Sequence, residues 1–331
     1  MDRRDAEAMT RTPIALTVAG SDSGGGAGIQ ADVKTFAALG VYGASVVTAL
    51  TAQNTVGVRA IHLAPPDVVA AQIDAVMEDF AVAAIKIGML GSAEIVAAAA
   101  ERLAPPSPLP GEGLGVRGLA RKRHNGGAPN GADPSFVAPQ GVRENARLST
   151  GYGATPSPAR GEGGGAFIVY DPIMTASSGD ALSGVGFVEA TRTKLLPRVD
   201  CLTPNLAEAA ALLGEGNAMS EADMARQGRA LIALGPRAVL MKGGHLPGDE
   251  AVDLLMTAEA VHRFAAAKIA SKNLHGTGCT LSSAIAAFIV LGKPLPEAVA
   301  AAKAFVREAI EAGRGLRLGA GAGPLIQLKL G

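Results

Sequence analysis

Short apolar, β-branched runs alternate along most of this chain with longer amphipathic or alanine-rich stretches, and the polar and glycine-rich residues gather just after the runs. The runs at 14–19, 42–51, 56–63, 83–89, 166–170, 199–202 and 238–241 read as strands. Helices are expected at 29–39, from Pro65-Pro66-Asp67 to about 80, over 92–103, 182–196 and 219–234, from the Gly276-Thr277-Gly278 turn to about 291, and over 295–312. Residues 252–256 and 261–269 read as a β pair at a sheet edge. Strands separated by helices must cross over and pair in parallel. The pattern therefore predicts an α/β fold: a doubly wound, mainly parallel sheet with its ligand site along the carboxyl edge. The loops at 20–28, 51–54, 171–174, 203–208, 242–245 and 275–279 would converge there.

One of those loops carries the most chemistry. His275-Gly276-Thr277-Gly278-Cys279-Thr280 runs straight into the small-residue, apolar-striped stretch Leu281-Ser282-Ser283-Ala284-Ile285. A helix starting there leaves backbone N–H groups without intrahelical partners at its positive dipole end. Such an end suits an anion, including a phosphoryl group. Gly276, Thr277, Gly278 and Cys279 are the candidate anion hole. The dipole would also favour a thiolate at Cys279, a base placed to deprotonate an attacking hydroxyl. The plainer alternative is a glycine turn before a core helix, with Cys279 a small buried residue.

The other loops admit two readings each. Gly20 to Gly28 is glycine-rich and flanked by Asp22 and Asp32, yet it matches neither a Walker A sequence nor a dinucleotide fingerprint. It is either a ligand loop or a flexible turn with solvated acids. Gln53 and Asn54 at a strand end offer amides that read a heterocycle, or ordinary turn chemistry. Asn205 and Glu208 lie one helical turn apart, as a ligand pair or as a capping box.

Residues 104–165 break the pattern. Those 62 residues contain 14 Gly and 9 Pro, a low-complexity composition. Pro106-Ser107-Pro108 to Gly113 is echoed by Pro156-Ser157-Pro158 to Gly163 near the other end. Too few large apolar residues are present for a core, so the segment reads as an insertion in a single domain spanning 13–331. Residues 1–12 read as a disordered tail, with no apolar segment of a signal peptide. A formal net charge of zero gives no reason to expect nucleic acid or an anionic membrane as partner, and 3% aromatics without Trp argue against a stacking platform. No uncharged apolar run is long enough for a membrane span. Two cysteines without metal-binding spacing fit a reducing cytoplasm.

Several motifs together resemble the bacterial hydroxymethylpyrimidine/phosphomethylpyrimidine kinases of thiamine biosynthesis, within the ribokinase-like superfamily. They are Ala19-Gly20-Ser21-Asp22, Gly25 to Asp32, Thr48 to Thr55, Lys86-Ile87-Gly88-Met89-Leu90, Thr203 to Ala209, Met241 to His245 and His275 to Thr280. The resemblance implies a three-layer α/β/α sandwich without a separate lid domain. It implies two ATP-dependent phosphorylations, of 4-amino-5-hydroxymethyl-2-methylpyrimidine and then of its monophosphate, with Mg²⁺ and a homodimer. Cys279 then stands where sugar-kinase relatives have an aspartate base. Gln53 binds the pyrimidine with Gly20, Asp22, Thr51 and Met89. Asn205, Lys242 and Asp171 serve the nucleotide, and Glu208 and Asp171 the metal. A pyridoxal or pyridoxine kinase of the same superfamily and a pyrimidine-phosphate sensor are the alternatives. Ser23-Gly24 and the 104–165 segment depart from the family pattern.

Overall fold

The computed structural model describes residues 12–103, 165–175, 179 and 182–328. The predicted tail lies outside these residues except for Thr12, and the predicted insertion except for Gly165. The first half of the chain builds β1 (Ile14–Asp22), α1 (Gly28–Ala38), β2 (Tyr42–Asn54), β3 (Gly57–Leu63), α2 (Pro66–Asp79), β4 (Ala84–Ile87) and α3 (Ala93–Arg102). The second half builds β5 (Phe167–Tyr170), α4 (Phe187–Ala190), β6 (Cys201–Leu202), α5 (Leu206–Leu213), α6 (Glu221–Ile232), β7 (Ala238–Lys242), β8 (Glu250–Thr257), β9 (Val261–Ala267), α7 (Thr277–Val290) and α8 (Leu295–Gly313).

The strands form one sheet in the order β3-β2-β1-β4-β5-β6-β7-β8-β9. The six from β2 to β7 run parallel, and β3, β8 and β9 join antiparallel at the two edges. Successive side chains of a strand face opposite sides, which sorts the core into two layers. Leu16, Val18, Ile85 and Ile168 pack with Val69 and Ile73 of α2, Ile95 of α3 and Leu231 of α6. Ala15, Ala84 and Val169 face the other way, onto Phe36 of α1, Ile285 of α7 and Val299 of α8. Each fully buried Leu or Ile contributes about 1.5–3 kcal/mol. That is why the interior strands read as unbroken apolar runs. Chain order reverses between β1 and β4, and the crevice outside their carboxyl ends is where such sheets take ligands.

One expectation changes. The predicted helix over 182–196 begins only at Phe187, because Gly186 turns the chain through a left-handed conformation with φ 75°. It then widens to a π turn over Thr191–Leu195 and closes as a 3₁₀ turn at Leu196–Arg198, which contains Pro197. Leu182 packs instead with Ala49 and Met89 at the site edge. Residues 314–328, which carry no periodic pattern, run as a strap past the site. Asn273 Nδ2 donates to the carbonyls of Gly313 (2.6 Å) and Leu316 (2.9 Å). The Gly321 amide donates to Thr55 Oγ1 at 3.2 Å, and the His275 amide to the Gly323 carbonyl at 3.1 Å.

Candidate active site

The predicted loops do converge along the carboxyl edge. At the end of β1 the Asp22 carboxylate accepts from the amides of Gly24 (2.8 Å), Gly26 (3.0 Å) and Ala27 (2.9 Å). His275 Nε2 lies 3.0 Å from its Oδ2. Burial alone would raise the Asp22 pKa. The hydrogen bonds from His275 and the Gly24 and Ala27 amides outweigh it and hold the carboxyl below its usual range. Both oxygens of Asp22 thus fasten its own loop. Across from it, Gln53 at the end of β2 has its Nε2 3.3 Å from His275 Nε2, and its Oε1 accepts from Thr51 Oγ1 at 3.1 Å. Thr51 also donates to the Ser21 carbonyl at 3.0 Å. Met89, after β4, is fixed by Thr48 Oγ1 donating to its carbonyl at 2.6 Å. A Cβ at Gly20 would stand 3.1 Å from the Met89 sulfur. Gln53, Gly20, Asp22, Thr51 and Met89 therefore form one wall of the crevice.

The opposite wall carries the charges. Asp171 follows β5 and is buried; its Oδ1 takes Lys242 Nζ, at the end of β7, at 2.6 Å. Thr203 Oγ1 donates to the same oxygen at 3.3 Å. Lys242 Nζ is also 3.8 Å from Glu208 Oε2. Burial would lower the lysine pKa, but the charges of Asp171 and Glu208 raise it well above the usual range. Asn205 and Glu208 form the capping box of α5. The Asn205 amide donates to Glu208 Oε2 at 2.7 Å, and the Glu208 amide to Asn205 Oδ1 at 2.8 Å. The cap fixes Glu208 beside Lys242, so the local reading holds and does not exclude a ligand role. Burial pushes Glu208 up to about 7; Lys242 opposes the shift and Asp171 adds to it.

Between the walls stands the start of α7. Gly276 adopts φ 85°, and a Cβ there would lie 1.9 Å from the Gly26 carbonyl oxygen, so only glycine lets the β1 loop and this turn touch. A Cβ on Gly278 would be 3.3 Å from both Asp171 Oδ2 and Lys242 Nζ. The amide end of the helix therefore faces the ion pair. The Thr277 amide donates back to the Leu274 carbonyl at 3.2 Å and the Thr280 amide to Gly276 at 2.9 Å. Of the four predicted anion-hole residues, Thr277 therefore has its amide engaged within the turn. The thiolate expectation for Cys279 is corrected. Burial pushes the thiol up to about 11; Lys86 lowers it, Asp32 and Asp171 raise it, and the Gly28 amide lowers it. Desolvation, the largest effect here, outweighs the helix dipole.

Two groups escaped the sequence reading of roles. His275 stood in the motif without a role, yet it joins Asp22 to Gln53. Lys86 and Asp32 form a wholly buried ion pair at 2.8 Å. The available signal was a lysine inside an otherwise apolar strand.

A helix amide end, a half-buried lysine and two buried carboxylates meet along the sheet edge that also carries side-chain amide and hydroxyl groups, a set suited to phosphoryl transfer. Solved structures of similar fold are kinases. Phosphomethylpyrimidine kinase from Clostridium difficile 630 is 34% identical with a TM-score of 0.64, covering 90% of this chain and 99% of that one. Pyridoxal kinase from Staphylococcus aureus, in complex with AMP-PCP and pyridoxal, is 28% identical with a TM-score of 0.71, covering 96% and 94%. The family model for phosphomethylpyrimidine kinase matches residues 22–109 and 162–326. A hydroxymethylpyrimidine/phosphomethylpyrimidine kinase of Rhizobium meliloti (strain 1021) is 44% identical over 95% of this chain and 96% of its own length. The relative of the same description from Escherichia coli (strain K12) is 40% identical over 94% and 96%. The chain belongs to the phosphomethylpyrimidine kinase family.

Proposed function

We propose that this chain transfers the γ-phosphoryl group of ATP to the hydroxymethyl oxygen of 4-amino-5-hydroxymethyl-2-methylpyrimidine, and a second phosphoryl group to the monophosphate, on the route to thiamine diphosphate. The observation that carries the reading is the first turn of α7 set against the Asp171–Lys242 pair, opposite the Gln53 wall. Gln53 would bind the pyrimidine through its amide, with Gly20, Asp22, Thr51 and Met89 shaping the pocket. Asp22 acts through its loop, because both of its oxygens are engaged there. Lys242, Asn205 and Asp171 would serve the nucleotide, Lys242 by neutralising phosphate charge. The thiolate form of Cys279, reached when the buried thiol ionises, would take the proton of the attacking hydroxyl as the oxygen–phosphorus bond forms and ADP leaves, and the Gly278 and Cys279 amides would hold the transferring oxygens.

Asp171 and Glu208 are the carboxylates we assign to Mg²⁺. Two buried carboxylates share one ammonium, so a further cation would complete the charge balance. Among the described residues no group of three or more His, Cys, Asp or Glu side chains is arranged for a metal. That agrees with an ion held by one or two carboxylates and completed by phosphate oxygens and water. When bound, Mg²⁺ neutralises phosphate charge.

Similarity to a pyridoxal kinase favours pyridoxal or pyridoxine as a second substrate class. We assign a homodimer and a cytoplasmic site of action. The exposed Leu50, Val56 and Ile61 of the β2–β3 edge support the dimer, and no described helix is long and apolar enough to cross a membrane. The 104–165 segment we read as an insertion. The family model matches on both sides of it and passes over 110–161. Replacing Cys279 tests the site: Cys279→Ala should lower kcat by ~10²–10⁴-fold while MgATP binding, followed by calorimetry, stays nearly intact. Near-normal kcat would reduce the thiol to packing.

A further inference from the structure

The buried charge beneath α7 has no place in the reaction as described so far. On the α1/α7 face of the sheet, Ala15 pairs with Ala84, and the next pair on that face, Thr17 with Lys86, turns polar. Lys86 Nζ contacts Asp32 Oδ2 at 2.8 Å, with both side chains wholly buried. Thr17 Oγ1 donates to the same oxygen at 2.6 Å, and Ser283 Oγ to the other at 2.5 Å. A buried ion pair of this kind is weak evidence for stability, since apolar residues of similar volume often do as well.

The network has a direction. A Cβ at Gly88 would lie 2.8 Å from Lys86 Nζ, so the bare glycine leaves room for the ammonium to lean toward the carboxyl edge. Ser283 lies one helical turn beyond Cys279 on α7, and Asp32 one turn beyond Gly28 on α1. Ser283 bonds Asp32, and at the outer end Gly276 closes on the Gly26 carbonyl that precedes α1. The two helices therefore meet in register, with the turn before Cys279 at the outer contact and the Asp32–Lys86 pair at the inner one.

We propose that Lys86, clamped by Asp32, is a positioning residue for the proton: its ammonium beneath the first turn of α7 sets the proton affinity of the Cys279 thiol. The inference rests on Cys279 being the base. The charged groups facing the thiol are Lys86 from β4, Asp32 from α1, Asp171 after β5 and Lys242 from β7. Lys86 favours the thiolate, and Asp32 opposes it. Lys242 stands committed to Asp171 and Glu208. Both lysines are paired, but Lys86 is the cation that opposes burial at the thiol, and Asp32 both anchors and tempers it.

The test uses the full chain as wild type, Lys86→Met and Asp32→Asn. Two profiles are recorded against pH: kcat, and the rate of iodoacetamide alkylation at Cys279 read by peptide-resolved mass spectrometry, with Cys201 as internal reference. Lys86→Met should move both profiles to higher pH by a unit or more, slowing alkylation about tenfold at fixed pH. Asp32→Asn should move both to lower pH. KM for MgATP should not change in either. A purely structural network would lower melting temperatures without displacing the profiles in opposite directions. Superimposable profiles, or displacements of the same sign, overturn the proposal. If Lys86→Met does not fold, Asp32→Asn alone decides: a shift to lower pH supports the proposal, and no shift or a rise overturns it. A near-normal kcat in Cys279→Ala would end the base reading, while the alkylation profiles would still report whether Lys86 governs the thiol.

Discussion

Gly276→Ala perturbs the junction on which the site depends. The residue sits at φ 85°, and the new Cβ would lie 1.9 Å from the Gly26 carbonyl oxygen. A carbon–oxygen contact needs about 3.3 Å, so the two loops must part by ~1.4 Å. The Gly26 loop cannot easily yield, because Asp22 holds the amides of Gly24, Gly26 and Ala27 together. Displacement therefore falls largely on the turn carrying the Gly278 and Cys279 amides. A misplacement of ~1 Å at a reacting centre costs about 10²-fold in rate, so kcat should fall by at least that much. Left-handed strain for a non-glycine residue adds about 1–3 kcal/mol. At ~2–4 °C per kcal/mol for a domain of this size, the melting temperature should drop by about 2–12 °C. A coupled ADP-release assay and a thermal melt read both effects. Gly244→Ala is the control: nothing lies within 4 Å of its Cβ position, although it occupies a neighbouring loop. Wild-type kcat and melting in Gly276→Ala would refute the close-approach argument.

Two further predictions concern the substrate wall and the predicted insertion. Gln53→Ala should raise KM for the pyrimidine far more than KM for ATP, by the ~1–3 kcal/mol of an unpaired ring polar group; steady-state kinetics with each substrate varied will show it, and equal effects on both would remove the assignment. Replacing 104–165 by a short Gly/Ser linker should preserve both phosphorylation steps and hold or raise the melting temperature, since loop closure changes by only ~0.6 kcal/mol per doubling of length; lost activity or a melt several degrees lower would mean the segment packs on the domain.

Much of this arrangement was legible in the sequence, for a physical reason. Parallel strands buried on both faces must be apolar along their length, so β1, β4 and β7 announced themselves, and their loops had to meet at one edge. What was not legible depends on approach in space. Lys86 and Asp32 are 54 positions apart, and nothing local says that the lysine in an apolar strand finds a carboxylate on α1. The protonation of Cys279 followed the same rule: its place at a helix start was readable, but whether it was a thiolate base or a buried thiol could not be decided without the packing around it. The stretch 182–196 looked helical because its apolar residues recur at helical spacing, and the left-handed turn at Gly186 overrode that pattern. The strap at 314–328 has almost no side-chain periodicity. Its position is set by Asn273 and Thr55, which hold its backbone.

The account stands most directly on what the enzyme phosphorylates. Purified protein with MgATP should be given the pyrimidine alcohol, its monophosphate or pyridoxine, with ADP release followed and products weighed by mass spectrometry. The account predicts monophosphate from the alcohol, diphosphate from the monophosphate, and a higher kcat/KM for the alcohol than for pyridoxine. Turnover of pyridoxine in preference to the alcohol, or a reaction that stops at the monophosphate, would contradict it.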